Sequence, residues 1–394
     1  MDLIQPFYKE NNDTGSSGGS SLAASLPYSA LPEHRHTKHL GPDFIPDRDI
    51  PLDVWSNLHT RGAFYMLVRN EDLQQARSVM RSIEDRFNHK FHYPWILLNN
   101  QYFTADFRRY VSKITQSPIY YGKVDMDAWS YPSWIDVPLV EIKMLEMELD
   151  DVYKGGSMSY HHMLRYQAGL FYWHPLFKNV DYVWRVESGA SYSCDMEFDP
   201  FRYMKENNKT LGFTLTMREA SNAIPTLWST TREFMDKQPE FVLPPNKTIM
   251  PWIADIDDQY NMCHIWNNFE LVDMSFLKSS SYNSYFEYLD RSGGFFYERW
   301  GDAPIRTMAA AMFLQRNQIH FFNRIGYSHS VASHCPFNAE YLQKCSCTLE
   351  DSYDFHHDSC TISLLRYIDE GAVSQMTTFA KSKLSKGALG SLRL

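Results

Sequence analysis

The sequence predicts an α/β protein built on a mixed, mostly parallel central sheet, and three observations carry that prediction. Short apolar runs at 63–68, 93–98 and 118–124 alternate with segments of helical periodicity. Strand–helix–strand–helix–strand at this spacing requires right-handed crossovers, which make the strands parallel neighbours. A further run, Asp181-Tyr182-Val183-Trp184-Arg185-Val186-Glu187, is aromatic or β-branched from Tyr182 to Val186 apart from Arg185. Such a strand suits a packed, pleated surface. Ser188-Gly189 stops it, so Glu187 stands at its carboxyl end, where open α/β sheets bind ligands. Neither Gly-x-Gly-x-x-Gly nor a Walker A pattern occurs, so the expectation is a Rossmann-like sheet without either phosphate loop.

Taken in order, residues 1–60 read as a stem or linker. A Gly/Ser tract at 13–21 and scattered Pro and His give little to pack, with at most one strand-like piece against the body. The globular domain runs over 61–394, with a cysteine-containing extension from about 340. After the first strand, Arg69-Asn70 turns the chain. Asn70 stands as an N-cap, and Glu71-Asp72 complement the dipole of a helix carrying Leu73, Ala76, Met80, Ile83 and Phe87 on one face. Arg69 thus shares a sheet edge with Glu187. Thr104 caps a helix through 114. Helices are expected over 138–149 and over 160–173, the latter with Met163, Tyr166, Leu170 and Trp173 on one face. Asp199-Pro200 joins an N-cap to Pro in the first turn, giving a short helix to about 207. A strand follows at 211–215, then helices at 225–237, 276–289 and 304–316, and a short strand at 319–322.

With 394 residues, 44% of them hydrophobic and 15% aromatic, the chain can bury a large core. A net charge of −9 and the lack of any Lys/Arg run argue against a nucleic-acid partner. Six cysteines without a CxxC pair favour disulfides in an oxidising compartment over structural zinc, with connectivity open. Sequons at Asn12, Asn208 and Asn246 fit a secretory route. No apolar run reaches the roughly 18 residues a membrane span needs, and no signal peptide opens the chain.

Longer motifs recur at fixed spacing. They include Tyr160-His161-His162-Met163-Leu164-Arg165-Tyr166, Gly169-Leu170-Phe171, His174-Pro175-Leu176, Trp184-Arg185-Val186-Glu187 and Ile224-Pro225-Thr226-Leu227-Trp228. Downstream stand Cys263-His264-Ile265-Trp266-Asn267-Asn268-Phe269-Glu270, Trp300-Gly301-Asp302-Ala303-Pro304 and Gly326-Tyr327-Ser328-His329. From about Arg61 to about Phe337 this series resembles the fungal Golgi α-1,2-mannosyltransferases of the KTR type, glycosyltransferase family 15. The resemblance implies a GT-A fold and retaining, Mn²⁺-dependent transfer of mannose from GDP-mannose to mannosylated glycoprotein glycans. It also implies a type II membrane protein of the Golgi lumen, of which Met1 would open a luminal fragment lacking the anchor.

Residue by residue, the family's metal-binding glutamate maps to Glu187, with Ser188 where most members have Pro and a less rigid loop in consequence. Its histidine ligand maps to His329; carboxylate, imidazole and diphosphate oxygens together suit Mn²⁺. Glu270 matches the candidate nucleophile, Tyr160 a tyrosine near both sugars, and Asp302 a group able to orient the acceptor hydroxyl. Arg69 is suited to the nucleotide by its bidentate donors. Residue type alone leaves plainer alternatives: a strand-end Glu187, a surface His329, a capping or salt-bridged Glu270, an Asp302 that only opens its helix, and an Arg69 paired with Glu71 or Asp72. Mannosylphosphate transfer to the same glycans is the alternative activity, kept open by Ser188. A glycoside hydrolase using two of Glu187, Glu270 and Asp302 would act without GDP-mannose. A non-catalytic mannan-binding protein would need no metal.

Overall fold

The computed structural model describes residues 49–254 and 256–383. Its strands are β1 (Gly62–Leu67), β2 (Trp95–Asn99), β3 (Ile119–Lys123), β4 (Tyr182–Arg185), β5 (Ser191–Tyr192), β6 (Leu211–Phe213), β7 (Thr216–Arg218), β8 (Cys263–Ile265), β9 (Glu270–Asp273), β10 (Ile319–Phe321), β11 (Tyr327–His329) and β12 (Ala332–His334). Seven of them form the central sheet in the order β10-β6-β9-β4-β1-β2-β3. β1 pairs in parallel with β2 and β4, β2 with β3, and β6 with β10. β9 runs against both β4 and β6. The sheet is therefore mixed and mostly parallel, as the alternating pattern predicts.

Aromatic residues of the strands build the core on one face. Phe64 stacks on Trp95 at 4.5 Å between centroids and meets Trp184 at 5.2 Å, and Phe201 closes the cluster edge-on at 5.7 Å from Phe64. Rings this close and fully buried bring contact energy beyond the area they remove from water. The helix Leu73–Arg86 covers this side with Ala76, Val79, Met80 and Ile83.

Several expectations need correction. Asn70 does not cap a helix: its amide donates to the Tyr102 carbonyl (3.0 Å) and accepts from the Thr104 N–H (3.0 Å), tying two loops together instead. Thr104 does cap, accepting from the Phe107 N–H, but its helix ends at Val111. The helix begun near Tyr160 is Met158–Gly169, followed by a 3-10 turn at Phe171–Trp173. It is buried nearly all round, with Met163 and Trp173 only half-buried, so no single apolar stripe describes it. The helix expected over 276–289 divides in two because the Ser279 hydroxyl accepts from the Tyr282 N–H and starts Ser280–Ser292 afresh. The Ala/Met-rich helix is Asp302–Phe313, earlier than expected at both ends. Within 49–60 the chain forms a 3-10 turn at Leu52–Trp55, not a strand, and the Trp55 indole donates to the Gly62 carbonyl. The rest of the expected stem lies outside the described residues.

All six cysteines pair: Cys194–Cys345, Cys263–Cys360 and Cys335–Cys347. They fasten the segment after 340, including the helix Thr361–Ile368, to β8 and to the turn after β5. Beneath it, His334 Nδ1 meets Asp354 Oδ2 at 2.5 Å, both side chains fully buried. No described helix is long and apolar enough to cross a membrane.

Candidate active site

Because β1 and β4 are parallel, with Tyr65 opposite Arg185, Arg69 and Glu187 emerge at one edge of the sheet. β9 enters the sheet at this same edge because it is antiparallel, and Glu270, its first residue, stands opposite Arg185. Directly opposed residues share a face of the sheet. The strand that sequence periodicity misses is thus the one that brings Glu270 to Glu187.

Past β4 the chain reverses at once: Gly189 takes a φ of +82°, open to glycine at no steric cost, and the Ala190 N–H donates to the Glu187 carbonyl at 3.2 Å. Arg185 ties this turn to a distant helix. Its Nε donates to Glu187 Oε1 at 2.7 Å, and its Nη1 donates to Asp302 Oδ2. Asp302 also accepts from Asn267 at 2.8 Å. One turn further along the same helix face, Arg306 Nε lies 3.3 Å from Glu270 Oε1, and Arg306 Nη2 donates to the Gln167 carbonyl at 2.8 Å. Asp302 is therefore a buried partner of Arg185, not merely the first residue of its helix.

Glu270 is 1% exposed, and its Oε1 has no hydrogen bond among the described residues. Burial raises its pKa above the ordinary carboxylate value, opposed by the nearby Arg306 and Arg185 charges. Burial works against the charge of Arg185 too, but Asp302, Glu187 and Glu270 outweigh it and hold that guanidinium charged. Tyr160, half-buried in the first turn of its helix, is pushed up to about 12 by burial, within electrostatic reach of Arg299 and Asp302. It remains a neutral phenol at physiological pH.

His329 closes the site from another side. β11 pairs with β5, Ser328 opposite Ser191, which lays the His329 strand beside the segment following Glu187. His329 Nδ1 lies 2.9 Å from the Asn268 amide nitrogen, and its ring is 5.7 Å from that of Trp266. The stretch Trp266–Glu270 thus touches His329 through Trp266 and Asn268, Asp302 through Asn267, and the sheet edge through Glu270. Arg69 stays apart: it is exposed and paired with Glu71 (3.3 Å) and Asp72 (3.1 Å).

Residue-type reasoning misses Arg185, Arg306, Asn267 and Asn268. Arg185 leaves a signal, a lone charge in an apolar strand, and so does Arg306 four residues after Asp302 in an Ala/Met-rich helix. The donor set also fits a divalent cation. Three carboxylates (Glu187, Glu270, Asp302) face two guanidiniums (Arg185, Arg306), a net negative cluster. Glu187 Oε2 and His329 Nε2 have no partner among the described residues, and carboxylate with imidazole suits Mn²⁺.

The mixed, mostly parallel α/β sheet places the chain in the GT-A class of glycosyltransferase folds, the fold of the solved mannosyltransferases it is similar to. The glycolipid 2-alpha-mannosyltransferase family model matches residues 37–370, and the chain belongs to that family. The match extends beyond the 61–337 over which the motifs are recognised. The chain is 42% identical over 303 residues to glycolipid 2-alpha-mannosyltransferase 2 of Candida albicans, covering 76% of this chain and 65% of that one, just under two thirds of its length. It is 42% identical over 304 residues to an O-glycoside alpha-1,2-mannosyltransferase of Schizosaccharomyces pombe, covering 77% of this chain and 78% of that one. Among solved structures it is similar to core-mannan synthase A of Aspergillus fumigatus in its Mn/GDP form, with a TM-score of 0.73 and 34% identity over 79% of this chain and 86% of that one. A mannosyltransferase of S. cerevisiae in complex with GDP gives a TM-score of 0.75 and 31% identity over 81% and 84%.

Proposed function

We propose that the chain transfers mannose from GDP-mannose to a mannosylated glycan, forming an α-1,2 linkage with retention at the anomeric carbon, in the Golgi lumen. The relatives' names and the GDP and Mn of the solved relatives support the donor and the metal. The observation that carries the reading is Glu270, a buried carboxylate beside two arginines at the sheet edge, with an oxygen that accepts no hydrogen bond among the described residues.

In this reading Glu187 and His329 hold Mn²⁺, which when bound offsets the charge on the departing diphosphate as a Lewis acid. Glu270 lies beneath the anomeric carbon. Its carboxylate either forms a bond to C1 as the C1–O bond to GDP breaks, the electron pair leaving on the diphosphate, or stabilises the oxocarbenium without bonding. The acceptor hydroxyl oxygen then bonds to C1, breaking the C1–O bond to Glu270 and returning its electron pair to the carboxylate where that bond has formed, and the hydroxyl proton passes to an oxygen of the departed diphosphate. Asp302, fixed by Arg185 and Asn267, orients that hydroxyl. Tyr160 stays protonated and donates to a sugar oxygen while its ring packs on the sugar. Arg69 turns from Glu71 and Asp72 to the nucleotide. The Arg306 and Arg185 charges oppose the burial that raises the pKa of Glu270.

The test is incubation with GDP-mannose, Mn²⁺ and α-methyl mannoside, read by mass spectrometry and by the anomeric signals in NMR. The expected product gains one hexose in α configuration and fails to form after chelation of the metal. A gain of hexose plus phosphate would make the enzyme a mannosylphosphate transferase. Turnover of mannosides without GDP-mannose would make it a hydrolase.

A further inference from the structure

A pocket of about 360 Å³ lies against the β7–β8 ribbon, and none of Tyr160, Glu187, Glu270, Asp302 or His329 lines it. Successive side chains of a strand point to opposite faces. Glu219, the residue after β7, pairs with Arg299 at 2.7 Å, and both lie within electrostatic reach of the Tyr160 hydroxyl. Its neighbour Arg218 lines the pocket and donates to the Asn261 carbonyl at 3.1 Å. The pocket is thus on the reverse side of the ribbon from the transfer site. Its other wall is the helix Thr361–Ile368, fastened to β8 by Cys263–Cys360, from which Arg366 and Tyr367 face in.

The lining is cationic in a chain of net charge −9. Arg366 is exposed and has no hydrogen bond or ion pair among the described residues, and His356 and His357 stand nearby, in contact with Asp358 at 3.7 and 3.1 Å. The one carboxylate on the lining, Asp354, is 1% exposed: its Oδ2 meets His334 Nδ1 and accepts from the Ser352 hydroxyl at 2.8 Å, and its Oδ1 is buried without a hydrogen bond among the described residues. An anion entering the pocket meets Arg218 and Arg366, while the accessible carboxylate Asp358 is paired with His356 and His357 and is not itself on the lining. The volume is too large for a bare phosphate and falls in the range of small-molecule sites, about 300–1,000 Å³. Trp252 and Tyr367 supply apolar ring surface, and Asn261 and Ser359, hydrogen-bonded to Trp252, Cys263 and Thr361, add neutral polar surface.

We infer that this pocket binds a saccharide bearing a phosphate group, as a subsite separate from the transfer site. Only the choice of mannose as the sugar rests on the transferase reading. The test is isothermal titration of the protein, without added metal, with mannose 6-phosphate, mannose and inorganic phosphate, and of the same sample with GDP-mannose and Mn²⁺. Mannose 6-phosphate is expected to bind at least tenfold more tightly than either mannose or phosphate. Arg366→Ala, which breaks no observed bond, is expected to weaken it tenfold or more at an unchanged melting temperature, with Arg366→Gln as a second variant. Equal binding of inorganic phosphate, or binding that Arg366→Ala leaves intact, would overturn the proposal. So would absence of mannose 6-phosphate binding while GDP-mannose still binds, and that outcome would leave the transferase reading standing. Failure of GDP-mannose alone would count against the transferase reading and not against the pocket.

Discussion

At His329 a single contact decides which ring nitrogen is free. The Asn268 amide lies 2.9 Å from Nδ1, and a half-turn of the amide exchanges its nitrogen for its oxygen without altering its shape. With the oxygen toward the ring, Nδ1–H donates and Nε2 keeps its lone pair, the arrangement usual for ligating histidines. Asn268→Leu is therefore expected to weaken Mn²⁺ binding by about 10–100-fold, measured by titration calorimetry. Unchanged affinity would remove His329 from the metal site. Glu187, Glu270, Asp302 and His329 are all legible as members of long motifs, yet no residue-level rule shows that Arg185 joins two of them. A charge inside an apolar strand hints at a buried partner, but only the strand pairing reveals which carboxylates those are. Arg69 illustrates the converse, since its local pairing with Glu71 and Asp72 is readable from adjacency and is what the fold displays.

Among the elements, those with many residues of one period are legible in the sequence; of the shortest, β6 and β10 fall within the runs expected at 211–215 and 319–322, and the others are missed. β1, β2, β3 and β4 fall where their apolar runs predict. β9 contributes only Glu270–Asp273, while β5, β11 and β12 span two or three residues, too few for period-two alternation to stand out. Their existence depends on partners far away in the chain. The disulfides are similar: even parity and the absence of CxxC predict pairing, but connectivity follows from tertiary contact. Cys263–Cys360 joins residues 97 apart and holds the helix Thr361–Ile368 against β8. The double variant Cys263→Ser/Cys360→Ser is expected to lose about 2–5 kcal/mol of stability and to become susceptible to proteolysis after about residue 350, read by denaturant titration and limited digestion. Wild-type stability would mean that packing alone holds the segment.

For the whole molecule, acid stability follows from two histidines held neutral, His162 buried and His320 half-buried. Burial, with Arg165 and His161, lowers His162 to about 4, and burial with Lys209 lowers His320 to about 3, against 6.5 for the free side chain. Below about 6.5 the unfolded chain takes up protons that the folded one refuses, so stability is full above that pH and is lost as pH falls toward 4. The melting temperature is expected to drop by several degrees between about pH 7 and about pH 5, and His320→Gln should flatten that slope. A profile unchanged by His320→Gln would contradict the assignment. The same interior that keeps these rings neutral holds Glu270 dry between Arg185 and Arg306 at the edge where β4 delivers Glu187, and catalysis as proposed depends on that placement. Its most direct test is Glu270→Gln, incubated with GDP-mannose, Mn²⁺ and α-methyl mannoside beside the wild type, with GDP binding measured on both. GDP binding should be retained while hexose transfer falls on the order of 10³-fold or more, as for loss of a group acting on the reacting carbon. Transfer within a few-fold of wild type would show that Glu270 does not act on that carbon.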